Sequence, residues 1–177
     1  IEGYKDEISH WFEAKPDDKY LDTDEPYNRN FDKLKNNTEI YSFDEFKCWD
    51  ALELRKVYPS MFSGASNLRS IELPASITEI GDEAFRGCTN LASITLPDTV
   101  CHIGARAFKE SGVQRFYVGN PVPAELGEEA FASSYADYVI YVPKDNLDAY
   151  LQSWSQYREH IQAYDETGEY ITVYTNN

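Results

Sequence analysis

Basic residues are scarce in this chain. Sixteen Lys and Arg stand against 31 Asp and Glu, giving a net charge of −15 over 177 residues. Such a surface repels phosphates, which argues against nucleic acid and anionic membranes as partners. Long apolar runs are missing as well. No stretch approaches the roughly 20 residues that a membrane-spanning helix needs. Histidine occurs only as His10, His102 and His160, and no His–Cys spacing resembles a zinc site. Cysteine occurs only as Cys48, Cys88 and Cys101. An odd number leaves at least one thiol free in an exported protein. Buried thiols acting as small hydrophobes are the preferred reading over any disulfide. There is no G-x-S-x-G turn and no Gly-rich phosphate loop, and no Ser or Cys stands in a recognisable activating context. The chain therefore reads as non-enzymatic, and no cofactor is expected.

What the chain does contain is a repeat. Leu68-Arg69-Ser70-Ile71-Glu72-Leu73-Pro74 aligns with Leu91-Ala92-Ser93-Ile94-Thr95-Leu96-Pro97, each position 23 residues on. Phe62, Phe85, Phe108 and Phe131 form one column at the same interval, and Gly81, Gly104 and Gly127 form another. In the third turn the strand arrives one residue early, with Val113, Phe116 and Val118 only 22 after Leu91, Ile94 and Leu96. An extra residue between Gly119 and Leu126 restores the phase, and Asn120-Pro121-Val122-Pro123 marks it as a surface bulge. The segment Tyr138 to Pro143 supplies a last strand. The first turn is degenerate: Phe43, Phe46, Cys48, Trp49, Leu52, Leu54 and Val57 fit loosely, as expected of a terminal repeat.

Each column has a physical task. In Leu-x-x-Ile-x-Leu the closing residues alternate, so Ile71 and Leu73 point inward and Glu72 outward. Pro74 ends the strand, since it has no N–H for a ladder. Gly81 is expected to supply either a positive φ or a close backbone approach at a corner. Asp82-Glu83-Ala84-Phe85 reads as one short helical turn with acids at its start, and Glu128-Glu129 repeats the arrangement. One unit cannot bury its own apolar face, so neighbours must stack on it.

The pattern Asn67-Leu68-x-x-Ile71-x-Leu73-Pro74-x-x-Ile77-x-x-Ile80-Gly81-x-x-Ala84-Phe85-x-Gly87-Cys88 resembles the BspA-like class of bacterial leucine-rich repeats. Residues 36–67 look like the opening segment of that class, through Asn37-Thr38-x-Ile40-x-Ser42-Phe43-Asp44-Glu45-Phe46. Residues 121–161 look like its closing segment, through Tyr141-Val142-Pro143, Leu147, Tyr150, Trp154, Tyr157 and Ile161. Residues 1–35 resemble nothing. The resemblance implies an α/β leucine-rich repeat solenoid: a short right-handed, horseshoe-like stack of 23-residue units with short strands, short helical turns and helical caps at both ends. It also implies export and display on a bacterial surface, where some members resemble adhesins that bind host extracellular proteins. It implies no shared ligand and no binding residue. The sequence does not begin with Met and shows no signal peptide, so an export signal or anchor is expected to lie outside it.

The expected organisation is a single domain in three parts. Residues 1–35 form an N-terminal helix and capping arm, with Tyr4, Ile8, Trp11 and Phe12 at helical spacing. Residues 36–143 form the solenoid. Residues 144–177 form a C-terminal cap, helical from Leu147 to Ile161, with a final strand expected over Glu169 to Tyr174. Asp17-Asp18 and Asp22-Thr23-Asp24-Glu25 cluster carboxylates, and relatives in the class can carry a calcium-loop-like segment in this region. The order and the glycine of a calcium loop are lacking, so solvated acids are the preferred reading and no metal site is assigned.

The outward strand positions make the candidate binding face. One row is Glu72, Thr95, Tyr117, Tyr141; its neighbour is Ser70, Ser93, Arg115, Val139. Tyr and Arg are enriched where proteins bind partners, although Tyr also favours strands for its own sake. The leading expectation is a secreted or surface-displayed module that recognises a protein or glycan through this face, including host extracellular matrix. The alternative is a structural spacer or self-associating module of a larger surface protein. The sequence leaves the oligomeric state open.

Overall fold

The computed structural model describes residues 34–43, 46, 55–133, 135–164 and 170–171. Short strands recur at the repeat interval and pair in parallel. On one side, β1 (Ser42–Phe43) pairs with β3 (Ser70–Ile71). Beyond them lie β5 (Ser93–Leu96), β7 (Arg115–Val118), β9 (Val139–Pro143) and β10 (Ile161–Tyr164), all mutually parallel. The final strand β11 (Tyr170–Ile171) closes this sheet antiparallel to β10. On the other side β2 (Lys56–Val57), β4 (Glu79–Ile80), β6 (His102–Ile103) and β8 (Glu125–Leu126) form a second parallel sheet. The core lies between them.

That core follows the apolar columns. Leu68, Leu91 and Val113 are fully buried, as are Ile80 and Ile103. The Phe column is a continuous ring stack: Phe62–Phe85, Phe85–Phe108 and Phe108–Phe131 have centroids 5.3, 5.4 and 5.9 Å apart and planes within 6°. The register records the slip. Ser93 pairs with Arg115, 22 residues on, and Arg115 with Val139, 24 on. In the second sheet Glu79, His102 and Glu125 stay 23 apart. The missing residue is at Gly112, which stands where the preceding turn has Thr89-Asn90. A Cβ at Gly112 would lie 2.0 Å from the Thr89 carbonyl oxygen, so the shortened corner requires glycine. The extra residue lies in the exposed Asn120–Pro123 loop. There the Asn120 side chain donates to the Val100 carbonyl (2.8 Å) and accepts from the Val122 N–H (2.8 Å).

Four expectations are decided by the backbone and burial, three of them as corrections. The segments read as short helical turns are not helical, since Glu83, Arg106 and Glu129 have φ of 55, 54 and 54°. In this left-handed region their N–H groups cannot continue a helix, so the acids there have no helix dipole to stabilise. The turns form a ladder between repeats instead. Glu83, Phe85 and Gly87 donate to the carbonyls of Ala105, Ala107 and Lys109 at 2.9, 2.8 and 2.9 Å. Second, of the two roles expected for the Gly81 column, close approach is the one present: a Cβ on Gly81 would lie 2.6 Å from the Pro59 nitrogen. Third, Leu147 to Ile161 is not one helix. Helix α1 covers Leu147–Ser153, a 3-10 run covers Ser155–His160, and Ile161 already belongs to β10. Trp154 packs on Phe131 (5.2 Å) and donates its indole N–H to the Ala124 carbonyl (2.9 Å). The Tyr157 hydroxyl accepts the Phe131 N–H (3.4 Å), a group that has no following turn to receive it. Fourth, Cys88 is a buried free thiol as expected, but Cys101 is an exposed one.

The arm boundary also looks different in three dimensions. Leu34, read as part of the arm, is fully buried in the core. Asn36 donates its N–H to the Ser63 carbonyl (2.7 Å) from a left-handed conformation, which makes residues 34–36 a repeat turn. The N-terminal helix, the acidic cluster of residues 17–25, His10 and Cys48 lie outside the described residues.

Candidate functional site

The strand face is built by the alternation that buries the core. Along β5 the residues read exposed, buried, exposed, buried, so Ser93 and Thr95 face outward while Ile94 and Leu96 fill the interior. The pairing carries this phase sideways. Thr95 aligns with Tyr117 and Tyr117 with Tyr141, while Ser93 aligns with Arg115 and Arg115 with Val139. Ser70 and Glu72 extend the two rows at β3, and both are exposed. Ser93, Thr95, Arg115, Tyr117 and Tyr141 therefore lie on one side of one sheet, and Ser70 and Glu72 continue its rows at the separate β1–β3 pair.

The face is not uniform. Over β3 and β5 it is low, with Ser70, Ala92, Ser93 and Thr95. Over β7 and β9 it rises to Arg115, Tyr117 and Tyr141. The Tyr117 and Tyr141 rings stack at 5.3 Å with 14° between planes. Adjacent parallel strands are about 4.8 Å apart, so this contact is set by register rather than by side-chain reach. One consequence departs from the sequence reading. Tyr141 is only 8% exposed, with Tyr117 on one ring face and Gln162 of β10 beside it in register. Its position is outward, but little of it meets solvent. Arg115 is exposed, and among the described residues it has no ion pair.

Sequence reasoning missed a third row. Between the inward Leu68 and Ile71 stand two outward residues, and the first of them continues as Arg69, Ala92, Gln114, all exposed. The Gln114 N–H donates to the Ala92 carbonyl (3.0 Å), and the Arg69 N–H donates to the Tyr41 carbonyl (2.8 Å). The Arg69 guanidinium lies 5.4 Å from the centre of the Tyr41 ring, a cation–π contact at a ring that is 46% exposed. The signal was available in the two-residue spacing of Leu-x-x-Ile.

Perturbed ionisable groups lie elsewhere. On the turns, Glu110 chiefly, and Glu83 with it, hold the Arg86 guanidinium above its ordinary pKa, at 3.5 and 3.3 Å. The Lys109 ammonium, 2.8 Å away, holds the Glu129 carboxyl below the usual range. In the core, burial pushes the Cys88 thiol up to about 12. His102 lies 3.9 Å from Glu125 on the second sheet, and His160 stacks on Tyr138. Among the described residues no group of three His, Cys, Asp or Glu could hold a metal ion. No described helix is long and apolar enough to cross a membrane.

Residues 53–152 match the family described as the BspA type leucine rich repeat region, in six copies. The chain belongs to that family. BspA-type repeats are generally non-enzymatic binding or scaffold domains, typically of surface or secreted proteins. The matched span contains the outward rows from Ser70 to Tyr141. No curated protein matches the chain.

Proposed function

We propose that this BspA-type chain is a non-enzymatic binding module, secreted or displayed on the cell surface, that recognises a protein or glycan through its strand face and serves adhesion to host components. One observation carries the reading. The stack holds Arg115, exposed and without an ion pair among the described residues, in register between Ser93 and Val139 and two residues from Tyr117 on the same face. Backbone pairing fixes that position, so little conformational entropy is lost when a ligand engages it.

The test is a binding screen of the full chain against matrix proteins and immobilised glycans, repeated with Arg115→Ala plus Tyr117→Ala. The expected result is a ligand whose affinity falls at least tenfold while the circular dichroism spectrum is unchanged. A ligand held equally well by the double variant would overturn the role of the strand face. Concentration-dependent self-association detected by light scattering and abolished by the same substitutions would favour the self-assembling scaffold instead.

A further inference from the structure

We draw no further inference here: the strongest candidate, the outward patch of Arg115, Tyr117 and Tyr141 on β7 and β9, belongs to the strand face already described, and nothing in the structure shows what covers it.

Discussion

The Phe85 and Phe108 rings are parallel to within 1°, with centroids 5.4 Å apart, although 23 residues separate them. The backbone enforces this. The Phe85 N–H donates to the carbonyl of Ala107 (2.8 Å), the residue before Phe108, so each ring is positioned by the bond that joins its turn to the next. Packing and the ladder are thus one device. Both rings are fully buried.

Truncating either ring should therefore be felt along the stack. Phe108→Ala is expected to cost about 3–5 kcal/mol, the usual range for a buried phenylalanine. Ring pairs contribute about 0.5–1.5 kcal/mol beyond their buried area. The double variant Phe85→Ala/Phe108→Ala should accordingly lose less than the sum of the single losses. Urea unfolding of the four proteins in the cycle checks this, and strict additivity would show that the rings do not interact.

The left-handed corners allow a second prediction. Gly64, Gly87 and Glu110 occupy equivalent turn positions with φ of 73, 70 and 60°. A side chain in this region costs roughly 1–2 kcal/mol. Gly87→Ala should destabilise the protein by about that amount. Glu110→Gly should stabilise it, by less, because glycine loses more freedom on folding and the exposed ion pair with Arg86 is removed. Thermal midpoints that move the other way for Glu110→Gly would show that the Arg86 contact outweighs backbone strain.

Alkaline pH should single out Cys88. Burial raises its thiol from 9.0 to about 12. A folded-state pKa above the unfolded one stabilises the fold fully below pH 9, and that contribution disappears as pH rises toward 12. Cys88→Ala should therefore lose less stability than the parent between pH 8 and pH 11, measured by urea midpoints. Alanine is tolerable there because Ala65 holds the same column one repeat earlier. An equal loss in parent and variant would assign the alkaline sensitivity to other groups, such as the buried Tyr138, itself raised to about 12 chiefly by burial.

Much of this architecture was legible because period and burial coincide. Leu68, Ile71, Ile80 and Phe85 recur at fixed intervals, and only a stack can bury such a set. The slip at the third strand could also be read, since Val113, Phe116 and Val118 shift together. The corners were harder. Glu83, Arg106 and Glu129 are not residues that favour positive φ, and they adopt it because both flanking columns are fixed by packing. Local preference suggested a helical turn, and the inter-repeat bonds override it. The face was legible by alternation alone, yet the low exposure of Tyr141 depends on β10, whose first residue, Ile161, was read as the end of a helix and whose other residues were not read as a strand. Arg69 was hidden by an assumption of strict alternation across a spacing that holds two outward residues.

The turn ladder has a direction. Ser60 donates to Asp82, Glu83 to Ala105 and Arg106 to Glu128, always from the earlier unit to the later one. At its turn, an internal unit therefore presents acceptors on one flank and donors on the other, like the two sides of a coupling. Copies of a 23-residue segment could be inserted or removed at such a joint with every bond re-formed, whereas the terminal units cannot be exchanged. A lineage could lengthen this protein by duplicating its middle, and each added unit would widen the strand face by one strand while leaving both closures untouched.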